Sequence, residues 1–139
     1  MHYYWERNSV QIVHQKERQH WVAFEVLDQE LYMYDSFQPK QPSIQIPMST
    51  KQILNNLYKS RLTEYITTDI TQQSGSVDCG LFAIANITVI CHGQRPEKIR
   101  YNQSLMRQHF VKCLESGELV PFPGTKKRQC KSPTRRVMP

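Results

Sequence analysis

The run Gln73-Ser-Gly-Ser-Val-Asp-Cys79-Gly80-Leu-Phe holds the sharpest chemical feature of the chain. A cysteine in the first turn of a helix meets unpaired N–H groups and a partial positive charge. Both favour the thiolate, which is the nucleophilic form. Gly80 keeps side-chain bulk away from the approach of a carbonyl. As that carbonyl becomes an oxyanion it needs donors, and the Cys79 N–H and the Gln73 side-chain amide could supply two. A nucleophilic thiol also needs a base, and the base needs an orienting group. His20 and Asp35 offer the imidazole and the carboxylate. The chain order His, Asp, Cys is no obstacle, because such roles are set by geometry and not by order.

Each of these residues also has an ordinary reading. Cys79 alone is a small buried hydrophobe. His20 alone ends a strand at the surface, and Asp35 with Ser36 ends another in a turn. Trp21 alone is a core aromatic. The combination of Asp78 before Cys79, Gly80 after it and a glutamine upstream weighs toward catalysis. Gln72 competes with Gln73 for the donor role.

The elements that must position these groups follow from pattern. Val10–Val13 is β-prone. His20–Leu27 is rich in β-branched and aromatic residues, Asp28-Gln29 suits a tight turn, and Glu30–Ser36 alternates. The two runs predict an antiparallel hairpin with His20 and Asp35 at neighbouring ends. Gln38–Met48 carries three prolines and reads as a surface connection. Ser49-Thr-Lys-Gln52 has the form of a capping box opening a helix. Tyr65–Ile70 reads as a strand and Gln72–Val77 as a loop around Gly75. Asp78 is placed to N-cap a helix over Cys79–Cys91, with Gly93 near its end. That helix is apolar almost all round and must be buried. Ser104–Ser116 is amphipathic, and Gly117 ends it.

His20-Trp21, Asp35-Ser36 and Gln73-x₅-Cys79-Gly80 together resemble the ubiquitin-like-protein-specific cysteine proteases. These include the SUMO/sentrin-deconjugating enzymes and the adenoviral endopeptidase. The resemblance covers roughly Val10 to Phe122. It implies an α+β papain-like fold, a mixed or antiparallel sheet packed on a buried helix that carries the nucleophile at its N-terminus. It implies His20 as general base, Asp35 as orienter, Gln73 in the oxyanion hole, Cys79 as nucleophile and Trp21 lining a narrow channel for a Gly-Gly tail. The family spacing selects Gln73 over Gln72. Such proteases carry an N-terminal lobe before the His-bearing strand. Here His20 comes almost at the start, so the implied domain is truncated. The implied partner is a ubiquitin-like modifier (SUMO, NEDD8 or ubiquitin) or its conjugates. The alternative is a protease-like docking module that binds such a partner without turnover. Acyl transfer on a similar scaffold would need an acyl-carrier site, and no cofactor is implied.

Composition narrows the remaining classes. The chain has 139 residues, 39% apolar and 22% charged, which fits one globular domain and excludes fibrous repeats. No apolar run approaches a bilayer span, and no leader opens the chain, so a membrane role is not expected and the nucleus or cytoplasm is. Residues 1–120 hold 12 Lys/Arg and 12 Asp/Glu, so the net charge of +6 belongs to residues 121–139. The expected organisation is an unplaced segment 1–9, a protease domain 10–122 and a basic disordered tail 123–139. Lys126-Lys127-Arg128 could act in nuclear import, and only weak nucleic-acid contact is expected of the tail. The four cysteines lack zinc-pair spacing, and without secretion they are expected reduced. Cys91-His92 reads as a helix end, and His109 with Cys113 supplies only two ligands, so no metal site is expected. The sequons at Asn86 and Asn102 carry little weight without secretion.

Overall fold

Alternation and turn chemistry account for the first three strands. In the computed structural model, residues 8–41, 45–59 and 62–139 are described. β1 (Ser9–Gln15), β2 (His20–Leu27) and β3 (Glu30–Tyr34) form an antiparallel meander. Asp28 and Gln29 take φ of 50° and 66° between β2 and β3. That left-handed pair is the two-residue hairpin turn whose twist matches the strands. The hairpin is the one read from sequence, with β3 ending at Tyr34 so that Asp35 follows directly.

α1 (Met48–Tyr58) is the crossover that lets β4 (Glu64–Thr67) lie parallel to β3. α2 (Cys79–Cys91) follows, with the bounds its apolar run predicts. A 3₁₀ turn at Pro96–Lys98 leads into β5 (Ile99–Tyr101), α3 (Gln103–Ser116), β6 (Gly124–Lys126) and β7 (Thr134–Val137). The main sheet runs β1-β2-β3-β4-β7, mixed in sense, and β5 pairs with β6 in a separate ribbon. The fold is α+β.

Period-2 alternation divides the core between the two faces of the sheet. Val22, Phe24, Val26, Leu31 and Met33 pack toward Leu54 and Tyr58 of α1. Ala23 and Tyr34 face the other way and pack on Ala83 of α2. The outer side of α2 meets Tyr101, Met106 and Phe122 through Phe82 and Ala85. α2 therefore lies between the sheet and α3, which explains its all-round apolar sequence. Gly117, at φ 74°, caps α3 by donating its N–H to Cys113 O at 2.9 Å.

Three expectations are corrected. The capping box at Ser49–Gln52 does not form. α1 starts at Met48 after Pro47, and Ser49 Oγ donates instead to Glu17 Oε2 at 2.6 Å. With Pro47 at the N-cap position, Ser49 already lies inside the first turn and cannot cap it. The strand expected over Tyr65–Ile70 is shorter and starts one residue earlier.

The tail 123–139 is not disordered. Lys126 and Gly124 pair with Ile99 and Tyr101, and Thr134–Val137 pairs along all of β4. Its charge is also partly matched, since Arg135 reaches Glu30 at 2.6 Å and Glu64 at 3.1 Å, and Lys127 Nζ donates to Asp69 O at 2.6 Å. Of segment 1–9, residues 1–7 lie outside the described residues and Ser9 opens β1. Among the described residues no helix is long and apolar enough to cross a membrane.

Candidate active site

β2 and β3 bring the imidazole and carboxylate together. His20 begins β2, and Asp35 follows the last residue of β3 at the same end of the hairpin. His20 Nε2 lies 2.6 Å from Asp35 Oδ1, with both side chains buried. This is the contact the hairpin spacing predicts. With Nε2 on an ionised carboxylate, that nitrogen carries the proton. Nδ1 makes no hydrogen bond among the described residues.

Asp35 is held from several sides. Its Oδ1 also accepts the Phe37 N–H at 2.9 Å, and its Oδ2 accepts from Arg18 Nη1 at 2.8 Å. Burial alone would push this carboxyl up. The hydrogen bond from His20, the Arg18 guanidinium, the His20 charge and the Phe37 N–H together hold it below the usual carboxylate range.

The segment after Asp35 is stitched to the loop before the cysteine. Ser36 O accepts the Gln73 N–H at 2.7 Å, and Ser36 Oγ donates to Gln73 Oε1 at 2.6 Å. With its oxygen committed, the Gln73 amide turns its NH₂ the other way, where one hydrogen goes to Gly75 O at 3.1 Å. The second hydrogen has no acceptor among the described residues. Gln72 has a different job. Its Nε2 donates to Asp35 O at 3.0 Å and its Oε1 accepts the Gln38 N–H at 2.9 Å. Gln72 is thus spent on the backbone around Asp35, and Gln73 is the amide with a free donor.

Cys79 opens α2 and is 6% exposed. Trp21 crosses to this helix from β2: a Cβ on Gly80 would stand 3.8 Å from Trp21 Cδ1. That is ordinary contact, so the protein itself leaves room for a side chain at Gly80. Trp21 is 44% exposed, so it is not the core aromatic of its ordinary reading. Strand alternation sends Trp21 to the α2 face and His20 to the other side of β2. No hydrogen bond joins Cys79 Sγ to His20 or Gln73. Catalytic hydrogen bonds commonly tighten only when substrate is bound.

Asp78 occupies the N-cap position of α2 but makes no side-chain cap. Its carboxylate is taken by Arg107 and by Gln103 Nε2, the latter at 3.0 Å. Gln103 also accepts the Ser74 N–H at 2.7 Å and donates to Ser74 O at 2.9 Å. The first turn of α3 therefore pins both ends of the Ser74–Asp78 loop.

Sequence reading had Ser36 only as part of the Asp35-Ser36 motif and missed Arg18 and Gln103. Ser36 and Arg18 were legible only as neighbours of Asp35 and His20, and nothing in the sequence ties Gln103 to a loop 29 residues earlier. The other cysteine–histidine pairs serve the helices. His92 Nδ1 lies 2.8 Å from Thr88 O, and His109 Nε2 lies 3.0 Å from Val120 O and 3.5 Å from Cys113 Sγ. Asn86 is buried within α2.

Comparison of the chain with family models, with curated proteins and with solved structures gives no match.

Proposed function

We propose that this chain is a cysteine peptidase or isopeptidase on a papain-like scaffold, of the ubiquitin-like-protein-specific type, cleaving after the Gly-Gly terminus of a ubiquitin-like modifier in the nucleus or cytoplasm. The observation that carries the reading is the buried His20 Nε2–Asp35 Oδ1 contact at 2.6 Å, on the strand whose next residue, Trp21, would stand 3.8 Å from a Cβ on the glycine after Cys79. An imidazole fixed by a carboxylate on one nitrogen and open on the other is what a thiol nucleophile requires.

In this reading His20 takes the Cys79 proton through Nδ1. The thiolate attacks the scissile carbonyl carbon, and the oxyanion is held by the Cys79 N–H and the uncommitted hydrogen of Gln73. The C–N bond then breaks as His20 returns the proton to the leaving amine. Water, activated by His20, releases the acyl group from Cys79. The burial of both reacting groups favours a slim, extended tail without side chains, laid along Trp21 and Gly80.

The test is hydrolysis of fluorogenic reporters ending in the SUMO or ubiquitin tail. Wild-type protein should cleave at least one. Cys79→Ser should abolish cleavage, and His20→Ala should reduce it by ~10²–10⁴-fold, the usual contribution of a general acid–base group. Folded wild-type protein that cleaves none contradicts the reading. A second reading, a docking module without turnover, is favoured by one observation: the buried Cys79 makes no hydrogen bond to His20. Tight binding of the modifier with no turnover would select it.

A further inference from the structure

Arg18 lies in the β1–β2 turn, two residues before His20, in the tight connection whose Gln19 takes φ 48°. Its side chain is largely buried, 12% exposed, against an Asp35 that is fully buried. Nη1 donates to Asp35 Oδ2 at 2.8 Å and to Gln15 Oε1 at 2.7 Å, and Nη2 donates to Phe37 O at 2.7 Å. Gln15 is itself anchored, its Nε2 donating to Gln45 O at 3.0 Å. The fork thus grips the carboxylate oxygen that His20 does not use and the backbone two residues beyond it.

We propose that Arg18 is a positioning residue of this site: it fixes the rotation of the Asp35 carboxylate so that Oδ1 stays on His20 Nε2. The proposal rests on reading His20, Asp35 and Cys79 as the reacting set. Without Arg18, one oxygen of a buried carboxylate has no cation to meet, and rotation about the carboxylate bond exchanges the two oxygens. A lysine ammonium restores the charge but is a single point. It cannot span Asp35, Gln15 and Phe37 as the planar fork does. The charged and titratable groups that face Asp35 are Arg18, His20 and, from β4, the Tyr65 phenol. Of these only Arg18 is a permanent cation, so its effect on Asp35 is separable.

The test follows the Asp35 carboxyl carbon by NMR across pH, which needs no substrate. In Arg18→Gln the Asp35 midpoint should rise by about one unit or more, equivalent to a tenfold change in proton affinity. In Arg18→Lys it should rise less. Reporter hydrolysis should lose about tenfold or more in kcat with little change in KM in Arg18→Gln, and Arg18→Lys should recover only part.

An Asp35 midpoint unmoved in folded Arg18→Gln overturns the proposal, as does unchanged kcat. On the unmutated protein, the Arg18 Hη resonances should be resolved at neutral pH and merge as Asp35 is protonated. Merged resonances at neutral pH overturn the proposal even if the variants fail to fold. If Asp35 moves as expected while wild-type protein cleaves nothing, the Arg18–Asp35 grip stands and the peptidase reading falls.

Discussion

At the scale of single residues, Asp35 is the group whose environment says most. Its carboxyl is held below the ordinary range by His20, Arg18 and the Phe37 N–H, against its own burial. A carboxyl depressed in the folded state adds stability that is fully present above its unfolded value of about 3.9. That stability is lost as pH falls through the lower folded value. Thermal melts across pH 2–7 should therefore show a steep acid limb in wild-type protein and a shallower one in Asp35→Asn. The same variant should lower kcat, though less than loss of His20, since an orienter acts through the base. Gly80→Ala separates protein packing from substrate approach. The nearest atom to the added methyl is 3.8 Å away, and alanine loses less backbone entropy than glycine on entering a helix. The melt should hold or rise while KM for a Gly-Gly reporter increases; an unchanged KM would place the substrate elsewhere.

At the scale of elements, one device holds the loop before Cys79 and another holds the sheet beneath α2. The first is the α3 amide of Gln103, which bonds Ser74 twice and Asp78 once. Each such bond adds roughly 1 kcal/mol net at most where it is exposed, so Gln103→Ala should cost up to about 3 kcal/mol. It should also loosen the loop that follows Gln73 and lower kcat, with faster amide exchange over residues 74–78. The second lies on the α2 face of the sheet. Arg95 bonds both oxygens of the buried Glu25, at 2.8 and 3.1 Å, and the Tyr34 hydroxyl at 2.6 Å. Removing one member strands a buried charge, so Arg95→Met should cost about 3–5 kcal/mol in denaturant titration.

Much of this scale was legible. β2 and α2 appear with the bounds read from their apolar patterns, and the two-residue turn sets the register that joins His20 to Asp35. Local pattern could not find the β5–β6 ribbon, whose three-residue strands are too short to show a period. Nor could it foresee that Glu17, across the fold, would take the Ser49 hydroxyl. Arg18 was hidden for the same reason: in a polar turn, a surface arginine and a buried one look alike.

At the scale of the molecule, the basic C-terminal segment is part of the fold and not an appendage. β7 closes the free edge of β4, and Met138 beyond it is buried in the cluster under α1. Composition misled here because prolines and unpaired charges mark disorder only when no edge is waiting to accept them. Met138→Ala should cost about 2–4 kcal/mol in a denaturant titration. A chain ending at Ser132 should melt lower and aggregate through the exposed β4 edge. The central claim for the whole molecule is that Cys79 is a poised nucleophile that accepts a Gly-Gly tail. The most direct measurement is the intact mass of the protein, followed by peptide mapping, after incubation with a modifier whose C-terminus ends in a Gly-Gly vinyl electrophile. The account predicts a single adduct on Cys79, absent in Cys79→Ala, slowed in His20→Ala and retained in Cys113→Ala. An adduct on any other cysteine, or none on folded protein, would contradict it.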